Sequence, residues 1–70
     1  MSATIYHVGP VGDHWEVEDS NGKPIADVTT KEEAIQAAQE AASADAEAEI
    51  LVHTADGVVE KEIAAGRNGT

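Results

Sequence analysis

Three histidines and one aspartate are the residues of this 70-residue chain whose chemistry first suggests a binding site. His7, Asp13 and His14 fall within the stretch YHVGPVGDHW, and His53 stands far downstream. Metal sites built from histidine need two or three ligands that converge at about 2 Å from the ion. If a hairpin closes over the glycine- and proline-containing segment 9–13, His7 and His14 face each other with Asp13 nearby. The spacing makes His7, His14 and His53 candidate metal ligands.

An alternative interpretation is that these histidines are half-exposed strand residues without a ligand-binding role. None of them occurs in the H-x-x-x-H or H-x-x-E-H spacing of known metal sites. We expect His53 to lie opposite Glu60, which suffices as a hydrogen-bonding partner. The sequence therefore predicts no resident metal and leaves metal binding through the histidines as an alternative.

Catalytic chemistry has less support than metal binding. No serine, histidine and aspartate set stands in a recognisable frame, and there is no glycine-rich phosphate loop. Carboxylate pairs such as Glu16 and Glu18 are expected by chance in so acidic a chain. A small sheet with one helix also lacks room for a deep pocket. We therefore predict a protein that is not an enzyme, with no catalytic residue and no cofactor.

The net charge limits the partners of the chain. Fourteen acidic residues against four basic ones give a formal charge of −10. Such a surface repels phosphate backbones and anionic membranes, so we expect neither direct nucleic-acid binding nor membrane binding. In molar salt the Debye length falls to about 3 Å, and repulsion between surface carboxylates is largely screened. The acidic composition, with few lysines and no phenylalanine, therefore predicts adaptation to high salt.

Other features of the composition favour a single domain in the cytoplasm. Cysteine is absent, which excludes disulfides and thiolate metal sites and fits an intracellular protein. The first residues lack the basic and apolar segments of a signal peptide, and no apolar run is long enough to span a membrane.

Alternating apolar residues and turn signals predict five strands. Two of them flank the turn at 9–13. Asn21-Gly22 is a pair favoured in two-residue hairpin turns, and we expect it to connect the second strand to the third. Closing that hairpin pairs Trp15 with Val28, Glu16 with Asp27 and Val17 with Ala26. A second hairpin at Asp56-Gly57 pairs Ile50 with Ile63, Val52 with Lys61 and Thr54 with Val59.

A capping box and an alanine-rich stripe predict one helix before the fourth strand. Thr30 is a favourable N-cap, with Glu33 at the third helical position. One arc of the helix, about 160° wide, is apolar. It contains Ala34, Ile35, Ala37, Ala38, Ala41 and Ala42. We expect the helix to end near Ala44, because Asp45 would fall within the apolar arc.

The order β-β-β-α-β-β predicts an α+β fold: an antiparallel β-sheet with one amphipathic helix packed on one face. We expect the alanine stripe to lie against the face that carries Trp15. The domain is predicted to span residues 1–63, and the glycine-containing polar segment 64–70 is predicted to be a flexible C-terminal tail.

The second face of the sheet is the candidate interaction surface. We expect it to carry Leu51, His53, Val58 and Ile25 among acidic residues. Scattered apolar residues on a wet face are normal, but a small alanine-lined core gains stability when two copies associate. Association by face contact and association by pairing of edge strands both remain open.

Five segments, in their order and spacing, carry a resemblance to known proteins. They are Tyr6–Pro10, Gly12–Val17, Thr30–Ala38, Ala48–His53 and Asp56-Gly57. Together they resemble a family of short prokaryotic and phage proteins, domain of unknown function 2188, over about Ile5 to Glu62. His7, Trp15 and His53 match the family pattern, whereas the family typically has Val at Gly9 and Gly at His14. The resemblance implies the fold and brings no established activity.

We therefore predict an acidic, salt-adapted protein–protein interaction module that forms a homodimer and has an unidentified protein partner. One alternative is an acidic nucleic-acid mimic that occupies a DNA- or RNA-binding protein. Its carboxylates would have to be spaced like phosphates, about 7 Å apart along one strand. The other alternative is weak metal binding through His7, His14 and His53.

Overall fold

The computed structural model describes residues 3–67, which form five strands and one helix. The elements are β1 (Thr4–Val11), β2 (His14–Glu18), β3 (Pro24–Val28), α1 (Lys31–Ala42), β4 (Ala48–His53) and β5 (Val59–Ala65). The strands form a single sheet in the order β3-β2-β1-β4-β5, and α1 packs across β1 to β4 on one side. The predicted α+β fold, with one helix on one face of the sheet, is confirmed.

One strand pair differs from the expectation of an antiparallel sheet. The β1–β4 pair is parallel and the other three pairs are antiparallel, so the sheet is mixed and the purely antiparallel prediction is wrong. The helix explains the difference, because it carries the chain back across the sheet after β3. The strand β4 then starts at the same end of the sheet as β1, and a parallel pair needs a crossover of this kind.

The hairpin of β2 and β3 has the predicted register in its central part. The pairs are Trp15–Val28, Glu16–Asp27 and Val17–Ala26. Beyond them a bulge adds one residue to β3, so the connection is not the simple two-residue turn that was expected. The Asp19 carboxylate closes this longer loop by accepting hydrogen bonds from the backbone N–H groups of Asn21 and Lys23. Gly22 supplies the positive φ of 80° that the loop requires.

Helix α1 begins with the predicted capping box. The Thr30 hydroxyl accepts a hydrogen bond from the Glu33 N–H, and the Glu33 carboxylate accepts one from the Thr30 N–H. Ala34, Ala38 and Ala42 are fully buried, and their short side chains let the helix approach the sheet closely. The helix ends at Ala42, slightly earlier than its apolar pattern predicts.

The hydrophobic core lies between α1 and the tryptophan-bearing side of the sheet, as predicted. Its largest fully buried side chains are Val8, Val17, Ile50 and Val52. Trp15 is half-buried and packs against this core, as does Ile35 of the helix. We call this side the helix-covered face and the opposite side the open face.

Strand β5 departs from its predicted pairing at a second bulge. The expected pairs Ile50–Ile63 and Val52–Lys61 are present. His53 pairs with Val59, so the expectations that it lies opposite Glu60 and that Thr54 pairs with Val59 are wrong. Glu60 is the extra residue of the bulge, and its carboxylate forms an ion pair with Lys31 of the helix. The bulge therefore removes Glu60 from the side of the sheet that holds His53.

The C-terminal part of the chain belongs to the fold beyond the expected boundary at residue 63. Strand β5 continues to Ala65, which is buried. The Arg67 N–H then donates a hydrogen bond to the Asp45 carbonyl oxygen at 2.8 Å. The predicted flexible tail 64–70 thus begins with residues of the sheet, and residues 68–70 lie outside the described part of the chain.

A tyrosine links β1 to the connection between helix and β4. The ring of Tyr6 is buried in the core, and its hydroxyl donates a hydrogen bond to the Asp45 carboxylate at 2.6 Å. The pKa of Tyr6 is raised to about 12 by three effects, from the largest to the smallest: this hydrogen bond, burial, and the negative charges of Asp45 and Asp19. The folded protein therefore holds the phenolic proton more tightly than the unfolded chain, where the pKa is about 10.

We expect the folding stability to fall as the pH rises from about 10 to about 12. A group whose pKa is raised by folding contributes fully below its unfolded pKa, and the contribution is lost as the pH passes the folded pKa. Urea unfolding of the native protein and of Tyr6→Phe, at about pH 8 and about pH 11.5, provides the measurement. The variant should be less stable by about 1–3 kcal/mol at the lower pH, and the difference should shrink at the higher pH. A difference that is the same at both pH values would contradict this role of Tyr6.

Candidate functional site

The open face is the candidate functional site, because it holds all three histidines and no helix or strand among residues 3–67 packs on it. The strand register assigns its members. They are Ile5, His7 and Gly9 of β1, His14, Glu16 and Glu18 of β2, Asp27 of β3, Glu49, Leu51 and His53 of β4, and Val59, Glu62 and Ala64 of β5.

Two of the histidines meet across the parallel pair β1–β4. His7 Nδ1 lies 2.9 Å from His53 Nε2, and the two rings stack with their centroids 5.2 Å apart and their planes at 29°. Gly9 leaves the space beside them open, since a Cβ at this position would contact the Cβ of His53 at 3.6 Å. The sequence patterns did not predict this contact, because it depends on β1 and β4 being neighbours.

The hydrogen-bond partners determine which nitrogen of each ring carries the proton. His53 Nδ1 lies 3.3 Å from the carbonyl oxygen of Gly57, which can only accept, so we assign the proton to that nitrogen. In the neutral ring Nε2 then accepts from His7 Nδ1–H, which leaves the lone pair of His7 on Nε2. The two rings form a polar chain from the loop before β5 to the middle of the open face.

His14 stands apart from this histidine pair. In the β1–β2 ladder His7 pairs with Glu18, whereas His14 pairs with Val11 at the other end. Four residues along a strand separate these positions by about 13 Å. The expectation that His7 and His14 face each other is therefore wrong, and the three histidines do not converge on one ion.

A groove crosses the open face at Gly9. Its volume is about 590 Å³, and it lies between the pair His7 and His53 on one side and Glu16 and Glu18 on the other. The groove is open to solvent along its length.

The four residues expected to form an interaction surface do not form one patch. Leu51 and His53 are half-buried on the open face of β4, and Val58 is 62% exposed in the loop before β5. Ile25 is the extra residue of the bulge in β3, and two strands, β2 and β1, separate it from β4. Val59, which the alternation of the sequence assigns to the other side, joins His53 because of the bulge in β5.

The open face carries a concentration of negative charge. Its carboxylates are Glu16, Glu18, Asp27, Glu49 and Glu62. The basic residues lie elsewhere, with Lys31 on the helix, Lys61 on the helix-covered side of β5, and Lys23 and Arg67 outside the strands. The histidines are therefore the groups within this face that can carry a positive charge.

A single helix on one side of a mixed five-stranded sheet, with the other side bare, defines a class of small two-layer α+β proteins. The chain belongs to the family described as uncharacterized protein conserved in bacteria (DUF2188), which matches residues 6–65 and confirms the family resemblance. No curated protein and no solved structure matches the chain. The helix formed by the described residues is too short to cross a membrane.

Proposed function

We propose that this protein is a non-enzymatic interaction module that forms a reversible homodimer through its open face. The observation that carries the proposal is the bare side of a two-layer fold, on which the apolar side chains of Leu51 and Val59 lie beside a groove. The core is lined by alanines, which bury little apolar area per residue. Burial of a second face between two copies therefore adds stability that so small a domain needs.

The edges of the sheet favour contact through the face over pairing of strands. The edge strand β3 is five residues long, starts with Pro24 and has a bulge. The other edge strand, β5, has a bulge and the charged run 60–62. Short strands, proline, bulges and charged side chains are the features by which natural sheets avoid edge pairing. We propose that two copies stack open face on open face about a two-fold axis.

The carboxylates of the open face make this contact dependent on salt. At low ionic strength two acidic faces repel each other, and the net charge of −10 opposes any approach of two copies. At a Debye length of about 3 Å the repulsion is screened beyond neighbouring side chains, while the gain from apolar burial remains. The same argument applies within one copy, and we propose that the protein is adapted to high salt.

Sedimentation velocity at about 0.1 M and about 3 M KCl tests the homodimer. The native protein should sediment as a monomer at low salt and increasingly as a dimer at high salt. Leu51→Glu places a further charge on the open face and should remain a monomer in both. Gln36→Glu adds the same charge on the exposed side of the helix and should dimerise like the native protein. Circular dichroism of both variants should show the spectrum of the folded native protein.

Two outcomes would overturn the homodimer: a native protein that is a monomer at both salt concentrations, or a dimer that Leu51→Glu leaves intact. Thermal melting in the same KCl series tests salt adaptation. The melting temperature should rise with KCl for the native protein and also for the monomeric Leu51→Glu, because screening acts within each copy. If the melting temperature of this variant does not rise with KCl, salt adaptation is rejected. The homodimer is tested independently by sedimentation.

A further inference from the structure

We infer that the β2–β3 end of the open face is a binding site for a divalent transition-metal ion, with His14, Glu16 and Asp27 as its ligands. One ligand atom from each of the three side chains lies within 4.8 Å of the other two. The site is separate from the His7–His53 pair, and it does not depend on the proposed homodimer.

The register of the strands brings these ligands together. His14 and Glu16 are two residues apart on β2 and therefore point to the same face. Asp27 of β3 lies directly opposite Glu16, and its Oδ1 is 3.6 Å from His14 Nε2. Ligand atoms bound to one ion at 2.0–2.2 Å are about 3 Å apart, so modest side-chain rotations complete the set. Sequence reasoning, which combined the histidines with Asp13, missed this set, although it paired Glu16 with Asp27 correctly.

The charges at this position favour a cation. Glu16 and Asp27 are like charges in directly opposite positions, an arrangement that destabilises a strand pair. Among residues 3–67 neither carboxylate forms an ion pair with a lysine or an arginine. A divalent ion would neutralise both carboxylates and remove the repulsion between them.

The environment of His14 leaves the correct nitrogen available for a metal. The Asp13 carboxylate lies 3.4 Å from His14 Nδ1, which favours the proton on that nitrogen and the lone pair on Nε2. Nε2 is the nitrogen that approaches Asp27. Histidines that bind metals usually donate their other N–H to a carboxylate or carbonyl in this way.

The ligand set also selects the kind of ion. Imidazole suits zinc, nickel and related transition metals, whereas magnesium and calcium prefer oxygen ligands alone. Three protein ligands leave positions for water, and the Asp27 side chain is 65% exposed, so the ion should exchange readily with solvent. We therefore assign the site to zinc or a similar ion bound with one equivalent per chain.

Titration of the full chain with zinc chloride, followed by the ring signals of the histidines in NMR spectra and by calorimetry, tests the site. The His14 ring signals should shift and saturate at one equivalent, while those of His7 and His53 should not. Glu16→Gln and Asp27→Asn should each weaken zinc binding at least tenfold. The matched control Glu62→Gln removes a carboxylate from the same face outside the site and should bind zinc like the native protein.

Three results would overturn the site. One is no shift of the His14 signals at millimolar zinc, and another is a shift of His7 and His53 in place of His14. The third is equal weakening by Glu62→Gln and Glu16→Gln, because zinc would then be attracted only by the charge of the whole face. Magnesium chloride at the same concentrations should leave the His14 ring signals unchanged, and a response equal to that of zinc would contradict the assignment to a transition metal.

Discussion

Replacement of Ile50 with alanine is expected to lower the free energy of unfolding by about 3–5 kcal/mol. Ile50 is fully buried in β4, with β1 and β5 on either side and the helix above. The fully buried residues of α1 are Ala34, Ala38 and Ala42, whose side chains are too short to fill the space left by the lost side chain. A domain of this size has a total stability of a similar magnitude, so a large fraction of the variant should be unfolded. Urea unfolding followed by circular dichroism gives the measurement.

Ile25→Ala removes the same atoms and serves as the matched control. Ile25 is 41% exposed at the bulge of β3, so its loss should cost less than about 1 kcal/mol. If Ile50→Ala proves too unstable to measure, Ile50→Val should still cost about 0.5–1.5 kcal/mol. Equal losses for the two alanine variants would mean that the core does not lie between the helix and β4.

Local sequence signals predicted much of the fold. The capping box of Thr30 and Glu33 is formed by residues three apart, so its hydrogen bonds do not depend on the rest of the structure. The central register of the β2–β3 hairpin was predicted by closing a turn at Asn21-Gly22, and the alternation agrees with it because Trp15 and Val17 both face the core. The family match covers residues 6–65 and carries no mechanism.

The features that sequence reasoning missed depend on contacts between distant parts of the chain. Alternation is the same in parallel and antiparallel strands, so it did not reveal that β1 and β4 are parallel neighbours. The contact between His7 and His53 exists because β1 and β4 are adjacent, so it was missed for the same reason. The bulge at Glu60 shifts Val59 to the open face, and its ion pair with Lys31 of the helix has no local sequence signal.

The open face divides into two parts with different chemistry. Towards β5 it carries the apolar side chains of Leu51 and Val59, which suit contact with another protein surface. Towards β3 it carries Glu16 and Asp27 in opposite positions, which suit a cation. The histidine pair and the groove at Gly9 lie between the two parts. Because the parts are on different strands, variants in one can be tested without altering the side chains of the other.

Replacement of Gly66 with alanine is expected to destabilise the protein by about 2–4 kcal/mol. Gly66 follows β5 with a φ of 95°, a conformation that residues with a side chain rarely adopt. A Cβ at this position would lie 3.0 Å from the Ala48 nitrogen, 3.1 Å from the Asp45 oxygen and 3.1 Å from the Glu47 Cα, all of which are backbone atoms. The cost arises because these are backbone atoms of the connection between α1 and β4 and of the first residue of β4, which cannot rotate away.

Gly57→Ala is the matched control, since it separates the cost of packing from the cost of the backbone conformation. Gly57 has a similar φ of 86°, but a Cβ there would meet nothing within 4 Å. Its replacement should therefore cost only the backbone strain, about 1–2 kcal/mol. Urea unfolding of both variants should show Gly66→Ala as the less stable by at least about 1 kcal/mol. A Gly66→Ala variant that is as stable as Gly57→Ala would contradict the close approach of Gly66 to the backbone of residues 45–48.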